Sequence, residues 1–228
     1  MDLTRYADTY WSAKDDSVDH ARLDVLLGLV PPSSRVLVAD GGPGMLAARL
    51  LDAGHDVSST DASAHATERA REKDLDATHI DTDDDPLPFD PSTFDCVLSD
   101  SAIEHRYWPG KAIAECARVL KPGGTFILLV PNVAHWRFRL ALLFGRFPEI
   151  EGAASDRCHL RMFALPELRR MVRGEGLTVT KTSGFPSLWV KGLYPSLFRA
   201  PGVRQLYGAL CRLRPSVFAR DVIVVARK

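Results

Sequence analysis

The sequence predicts an α/β fold in which a mostly parallel sheet is covered by helices on both faces. Three observations lead to this prediction. Short β-rich runs alternate with helical stretches through the first half, a glycine turn follows the first run, and the run at Gly124–Val130 is almost wholly apolar. Strands that alternate with helices need crossover connections and so become parallel, and a strand buried on both faces has few polar positions. The length of 228 residues fits one domain.

The first half contains five predicted strands and three predicted helices. The strands are predicted at Arg35–Ala39, Asp56–Thr60, Ala77–Ile80, Phe94–Ser99 and Gly124–Val130. The helices are predicted near Gly44–Ala53, Ala62–Lys73 and Gly110–Leu120. After Pro131 the pattern changes, because residues 132–163 are rich in aromatic groups and arginine and give no strand signal. The later elements are predicted as a helix at Leu165–Arg173, a strand at Leu177–Thr182, a helix near Val203–Leu213 and a closing strand at Val217–Ala226.

The formal net charge of zero conceals a strong asymmetry along the chain. Residues 1–130 carry a net charge of −11 and residues 131–228 a net charge of +11. One interpretation is that the acidic half holds a ligand and the basic half faces an anionic molecule or a membrane surface. The other is that the halves attract each other within one domain. No nucleic acid is expected as a partner, because the basic residues form no run and no reading motif is present.

The cysteines and the N-terminus predict the cellular setting. Four cysteines lie far apart with no C-x-x-C pair, so the sequence indicates neither a metal site nor a disulfide framework. The first residues are too acidic and polar for a signal peptide, and no apolar run approaches the ~18 residues of a membrane span. We therefore expect a soluble, cytoplasmic protein.

Residues at the carboxyl ends of the predicted strands form the candidate site, because ligands of such sheets bind there. The turn after the first strand contains Asp40, Gly41, Gly42 and Gly44. Glycines there let a ligand approach the backbone, although they also serve packing alone. Asp61 follows the second strand about 20 residues later, where an acidic group can accept ribose hydroxyls. It can equally cap the next helix.

Two further segments reach the same edge. One carboxylate of the acidic stretch at residues 81–85 could accept a hydrogen bond from an adenine amine, while the others are expected to be solvated loop charges. The segment from Ser99 to His105 directly follows the fourth strand. His105 titrates near neutrality and could act as a general base, although structural histidines are common.

The order of these features resembles the class I S-adenosylmethionine-dependent methyltransferases, specifically the type 11 small-molecule group. The resemblance runs from Arg35 to Asn132 and is most specific in LPF at Leu87–Phe89, in Glu104-His105 and in ARVLKPGGT at Ala117–Thr125. It implies a Rossmann-like sheet of seven strands, the last antiparallel, with an inserted helical lid. It also implies S-adenosyl-L-methionine as cofactor, with the ribose held by Asp61, the adenine by Asp83 and the methionine end by the glycine turn. Ala62 and Ser99 complete the predicted cofactor-binding set.

One departure from this group lies in the glycine turn. The group usually has an acidic residue where this chain has Val38 and a glycine where it has Asp40. Either Asp40 supplies the missing charge or the cofactor site is weakened. We favour cofactor binding because Gly42 and Gly44 remain.

The second half is expected to cover the acceptor. We predict one domain over residues 1–228, with an N-terminal cap at 1–34, a cofactor-binding core at 35–130 and lid or acceptor elements at 131–163 and 184–215. The substrate-binding candidates are His135, Trp136, Arg139 and His159. The segment Trp136–Phe147 indicates either ordinary packing of an amphipathic helix on the core or a cap over a bulky apolar or anionic acceptor, with a peripheral membrane contact. The apolar stripe of the late helix, through Leu206 and Leu213, is interpreted as facing the core. Tyr6, Tyr10 and Trp11 either close over the cofactor or serve packing.

The sequence leaves the function open between an enzyme and a binding protein. As an enzyme, it would transfer a methyl group in line to an oxygen or nitrogen, with His105 as the first candidate base and His135 or His159 as the next. Beyond Pro131 the chain also resembles the methionine-biosynthesis protein MetW and methyltransferases of glycan and natural-product gene clusters. A MetW-like binding protein without activity is therefore the rival. A nicotinamide-dependent dehydrogenase is less well supported, because the turn lacks G-x-G-x-x-G.

Overall fold

The computed structural model describes residues 3–13, 19–80, 83, 85–147, 154, 156, 158–186 and 201–228. Its helices are α1 (Leu3–Ser12), α2 (His20–Leu27), α3 (Met45–Asp52), α4 (Ala64–Arg71), α5 (Pro109–Val119), α6 (Trp136–Leu143), α7 (Leu165–Gly174), α8 (Pro201–Leu213) and α9 (Pro215–Phe218). Its strands are β1 (Arg35–Ala39), β2 (Asp56–Asp61), β3 (Asp76–His79), β4 (Phe94–Asp100), β5 (Leu120–Pro131), β6 (Thr178–Phe185) and β7 (Asp221–Arg227).

The seven strands form one sheet in the order β3-β2-β1-β4-β5-β7-β6. The neighbours from β3 to β5 are parallel, whereas β7 is antiparallel to both β5 and β6. The predicted seven-stranded sheet with an antiparallel last strand is thus confirmed. The chain moves outward from β1 to β3 and then places β4 on the other side of β1. This reversal makes the carboxyl ends of β1 and β4 the switch point, where open α/β sheets bind ligands.

Helices cover the sheet on both faces and bury two apolar layers. Leu37 of β1 belongs to the layer that also contains Ile113 of α5, while its neighbours Val36 and Val38 belong to the layer that contains Leu50 of α3. All five side chains are at most 1% exposed. Successive strand residues point to opposite faces, so one strand supplies both layers. Each such apolar side chain stabilises the fold by about 1.5–3 kcal/mol, which holds the ends of β1 and β4 in place.

The second half departs from the prediction at three places. The closing strand begins at Asp221 instead of Val217, because Pro215 starts the short helix α9. The preceding strand extends to Phe185, so residues 184 and 185 belong to the sheet and not to the lid. The apolar stripe predicted for α8 does not all face the core. Leu206 and Leu213 are 65% and 76% exposed, and the buried face passes through Tyr207.

Besides the short helix α9, three helices have no counterpart in the predicted elements. The helices α1 and α2 lie in the predicted N-terminal cap, and α6 lies in the predicted lid. Neither α2 nor α6 carries a long apolar stripe, which is the pattern that predicts a helix from sequence, whereas α1 has one through Ala7, Tyr10 and Trp11. Within the described ranges, no helix combines the length and the apolar composition needed to cross a bilayer.

Candidate active site

The loop after β1 holds three residues with left-handed backbone at the switch point. The φ angle is +57° at Asp40, +57° at Gly42 and +82° at Gly44. Asp is one of the few residues with a side chain that adopts this region routinely. A Cβ atom on Gly42 would lie 2.5 Å from the ring of Trp11, so the N-terminal helix packs directly on the loop. The side chain of Tyr6, predicted to act with Trp11, lies outside the described residues.

Asp61 links this loop to the end of β2. Its Oδ2 accepts a hydrogen bond from the backbone N–H of Gly42 at 2.8 Å, and its Oδ1 accepts one from Ser63 at 2.8 Å. The side chain is buried. Burial, together with the negative charge of Asp40, raises the pKa of Asp61 to about 7. Ser63 itself is the N-cap of α4, so the sequence alternative in which Asp61 is the cap is wrong.

Arg106 compensates for the unusual residue at position 40. Its guanidinium forms an ion pair with the carboxylate of Asp40, and its side chain is only 7% exposed. Burial acts to lower the pKa of Arg106, but the attraction of Asp40 outweighs it and leaves that pKa above the ordinary value. The sequence reasoning missed Arg106. The one signal in the sequence was that an acid, Asp40, stands at an unusual place and that an arginine follows 66 residues later.

The remaining predicted cofactor residues surround the same point. Ser99 is buried and pairs with Ala39 across β4 and β1. Asp83 accepts a hydrogen bond from the backbone N–H of Tyr107 at 3.3 Å, which places it beside the turn after β4. The carbonyl of Ala62 contacts a ring nitrogen of His79 at 3.1 Å. The structure therefore brings the predicted residues after β1, β2 and β4 together at one edge.

One small cavity lies at the switch point. A cavity of about 20 Å³ lies between the ends of the strands, and its lining includes Asp40, Thr60, Ser99 and Arg106. A void of this size holds about one water molecule.

His105 lies in a short helical turn after β4, close to a second histidine. The ring centroids of His105 and His159 are 4.9 Å apart, and Nδ1 of His105 lies 3.1 Å from the carbonyl oxygen of Cys158. Tyr10 of α1 approaches the same ring, with centroids 6.4 Å apart. Burial, followed by the neighbouring His159, lowers the pKa of His105 to about 4. The ring is therefore neutral at pH 7 and offers a lone pair.

A buried polar network that the sequence did not indicate lies beneath these histidines. Arg22 of α2 forms an ion pair with Asp100 and donates to the hydroxyl of Ser101 at 2.5 Å, which ties the N-terminal cap to the end of β4. Glu104 is 1% exposed, and burial above all raises its pKa to about 8. Neither oxygen of Glu104 has a hydrogen-bond partner among the described residues.

The predicted acceptor residues of the second half separate into two groups. His159 joins His105, as described above. His135 instead caps α6 through the N–H of Arg137 and lies 3.0 Å from the hydroxyl of Tyr207, which the indole of Trp136 also contacts at 3.3 Å. Burial lowers the pKa of His135 to about 4. His135 therefore anchors α8 to α6, and its predicted role as a base stays a prediction.

The outer face of α6 and the turn after it is apolar and basic. Leu143 and Phe144 are 77% and 71% exposed, and Leu140 and Phe147 are also exposed. Arg139, a predicted substrate residue, is exposed on the same helix and donates to the carbonyl oxygen of Ala134 at 2.6 Å. Residues 131–147 contain no acidic side chain. We call this area, Trp136–Phe147, the α6 surface.

Residues 39–128, which contain the glycine loop, Asp61 and His105, match the protein family described as "Methyltransferase domain". A SAM-dependent methyltransferase from Archaeoglobus fulgidus has the same fold, with a TM-score of 0.65 at 14% identity over 91% of this chain and 92% of that one. The matched segment runs from the end of β1 into β5 and contains the candidate site.

Two curated relatives share this part of the chain. A demethylmenaquinone methyltransferase from Renibacterium salmoninarum is 35% identical over 107 residues, which cover 47% of this chain and 44% of the relative. A ubiquinone biosynthesis O-methyltransferase from Xanthomonas campestris is 28% identical over 152 residues, which cover 62% of this chain and 64% of the relative. The chain thus matches less than two thirds of either relative's length. The resemblance of the second half to MetW stays a prediction.

Proposed function

We propose that this protein transfers a methyl group from S-adenosyl-L-methionine to an oxygen or nitrogen atom of a small molecule with a bulky apolar part. The observation that carries the proposal is the buried carboxylate of Asp61, which is fixed to the loop at Gly42 across the switch point. The match of residues 39–128 to a methyltransferase domain supports it. A non-catalytic MetW-like role is the less favoured alternative.

The residues at the switch point fit the parts of this cofactor. Each oxygen of Asp61 accepts one backbone hydrogen bond and keeps a lone pair for a ribose hydroxyl. Asp83 lies where it can accept a hydrogen bond from the adenine amine. The wall of the proposed cofactor site is formed by the loop of Gly41, Gly42 and Gly44, together with Ala62 and Ser99. When bound, S-adenosylmethionine supplies a methyl group activated on a sulfonium centre.

The pair formed by Asp40 and Arg106 adds a charged element to this wall. An amino-acid end carries one ammonium and one carboxylate group, which match the opposite charges of the pair. In the complex, Asp40 would pair with the ammonium group and Arg106 with the carboxylate group of the ligand. Each charge thus keeps an opposite partner, which offsets the free-energy cost of opening the Asp40–Arg106 ion pair. This assignment accounts for Asp40 where methyltransferases of this group usually have a glycine.

His105 is the proposed proton acceptor for an acceptor hydroxyl. The contact between its Nδ1 and the carbonyl oxygen of Cys158 fixes the ring and leaves Nε2 unprotonated. His159 borders the same space and is proposed to orient the acceptor. Trp136 and Arg139 are proposed to contact the apolar and anionic parts of the acceptor.

Binding measurements separate the enzyme from its rival. Titration calorimetry of the full chain should show that S-adenosylmethionine and S-adenosylhomocysteine both bind with one site. Transfer of labelled methyl groups to a prenylated catechol and a prenylated hydroquinone then tests the acceptor class that the curated relatives suggest. Absence of binding of either nucleoside would contradict the proposed function, whereas binding without transfer to any phenol would contradict only the acceptor class.

We further propose that the α6 surface contacts anionic lipid. Its exposed leucines and phenylalanines can enter the boundary of the acyl chains, and its arginines match lipid phosphates. Phe144→Glu should weaken sedimentation with vesicles of phosphatidylglycerol several-fold, because it adds a negative charge to a side chain that is 71% exposed. The control, Leu51→Glu, adds the same negative charge at an exposed leucine of α3 and should leave sedimentation with the vesicles unchanged. Equal loss in both variants would overturn the assignment.

A further inference from the structure

The N-terminal helix α1 contacts the candidate cofactor site at two separate places. The ring of Trp11 packs on the loop after β1, where a Cβ atom on Gly42 would lie 2.5 Å from it. The carboxylate of Asp8 accepts a hydrogen bond from the hydroxyl of Ser63 at 2.6 Å and another from the backbone N–H of His65 at 3.2 Å. Asp8 and Trp11 are three positions apart in α1, so both lie on one face of that helix. This face therefore contacts both the start of α4 and the glycine loop.

The hydrogen bond between Ser63 and Asp8 has the length of a charge-assisted bond. An O–H group that donates to a carboxylate typically lies about 2.5–2.7 Å from it, and the observed 2.6 Å is within this range. Burial acts to raise the pKa of Asp8, but the hydrogen bonds from Ser63 and from the backbone of His65 outweigh it and leave that pKa below its ordinary value. Asp8 is therefore ionised at neutral pH and accepts both bonds.

Ser63 connects Asp8 to the carboxylate that is proposed to hold the ribose. Its side chain is fully buried, and its oxygen also accepts a hydrogen bond from the N–H of Ala66 at 3.0 Å. Its backbone N–H donates to Oδ1 of Asp61 at 2.8 Å, while Oδ2 of Asp61 accepts from the N–H of Gly42 at 2.8 Å. Hydrogen bonds thus lead from Asp8 through Ser63 and Asp61 to the glycine loop, on which α1 packs again.

We propose that Asp8 is a positioning residue of the cofactor site, which holds α1 on α4 through Ser63 and thereby fixes the Asp61 carboxylate for the ribose. A group that is already held in its bound orientation loses less conformational freedom when the ligand arrives, so the affinity is higher. This role rests on the proposed binding of S-adenosylmethionine, whereas the contact between Asp8 and Ser63 does not. Because coupling between two sites is reciprocal, a bound nucleoside should in turn hold α1 more firmly.

Hydrogen exchange of the α1 amides, followed by mass spectrometry in the ligand-free full chain, tests the contact by itself. Asp8→Asn keeps the size of the side chain and removes its charge, so it should speed exchange in α1 several-fold. Asp52→Asn makes the same change at an exposed position on α3 and should leave α1 as it is in the unchanged chain. Equal exchange in α1 of all three proteins would overturn the proposal.

Calorimetry with S-adenosylhomocysteine tests the coupling of Asp8 to the cofactor site. Asp8→Asn should weaken binding by about 5-fold or more, and Asp52→Asn should not change it. Ser63→Ala removes the hydroxyl through which Asp8 acts, so the double variant with Asp8→Asn should bind little more weakly than Ser63→Ala alone. Saturating nucleoside should slow exchange in α1 of the unchanged chain, and slow it less in Asp8→Asn.

The possible results separate this role from the proposed function. If the unchanged chain binds the nucleoside and Asp8→Asn binds it equally well, the proposal is wrong and the proposed function stands. Additive losses in the double variant would also overturn the proposal, because they show that Asp8 does not act through Ser63. Absent binding to the unchanged chain would overturn the proposed function and this role together. Circular dichroism checks that each variant is folded, and if Ser63→Ala is not, the comparison of Asp8→Asn with Asp52→Asn still decides.

Discussion

The two halves of the chain build their parts of the site in different ways. In the acidic half, parallel strands place carboxylates such as Asp61 and Asp40 against backbone N–H groups and a buried arginine. In the basic half, the α6 surface leaves leucines, phenylalanines and arginines exposed. Fixed, dehydrated groups suit a ligand of constant structure, whereas an exposed apolar surface suits an acceptor or a membrane. The net charges of −11 and +11 thus correspond to two kinds of surface.

The largest expected effect tests which half supplies the proton acceptor. His105→Ala should slow methylation by about 10²–10⁴-fold, with little change in cofactor affinity, because a general base contributes about this much. His159→Ala, from the other half, should slow it less. For both variants, the rate of methyl transfer to the prenylated phenol is measured in a single turnover, in buffer with a chelator. An unchanged rate for His105→Ala would remove this histidine from the mechanism.

The next effect concerns the carboxylate that holds the nucleoside. Asp61→Asn should weaken binding of S-adenosylhomocysteine by about 10- to 100-fold, because hydrogen bonds to a charged group contribute about 1.5–3 kcal/mol. Asp76→Asn is the control, since Asp76 lies at the start of β3 and accepts a hydrogen bond from the hydroxyl of Ser58 in the middle of β2. It should leave the affinity unchanged. Equal losses in calorimetry would show that the effect arises from the sheet and not from the cofactor site.

A third prediction tests how tightly the N-terminal helix packs on the loop. Gly42→Ala should lower the free energy of unfolding by about 2 kcal/mol, from positive φ and from overlap with Trp11. Gly54→Ala also carries a positive φ of +86°, but no atom outside its neighbours lies within 4 Å of a Cβ there. It should cost about 1 kcal/mol. Urea denaturation of both variants isolates the contact with Trp11, and identical losses would contradict it.

The last effect is a pH dependence that belongs to the acidic half. Burial and Asp40 raise the pKa of Asp61 to about 7, so the folded state holds its proton more tightly than the unfolded state. The stability from this group is present below a pH of about 4 and is lost as the pH rises through about 7. Asp61→Asn should make the free energy of unfolding, measured by urea denaturation, depend less on pH between about 4 and 7. A slope identical to that of the unchanged chain would show that Asp61 titrates normally.

The acidic half was also the easier one to predict. The strand pattern and the spacing from Gly42 to Asp61 placed both residues correctly, because each depends on local backbone geometry. Arg106 could not be found in this way, since its partner lies 66 residues away. In the basic half, α6 has no apolar stripe, and the closing strand was predicted four residues early because Pro215 starts a helix. The contacts of His159 likewise depend on tertiary packing.

The indole of Trp11 against Gly42 turns the loop into an optical reporter. A nucleoside that enters beside the loop changes the surroundings of this ring, so intrinsic fluorescence should follow ligand arrival on the millisecond scale without a label. Trp11→Phe provides the blank for that signal. The rate of ligand arrival thereby becomes accessible separately from the rate of any chemistry.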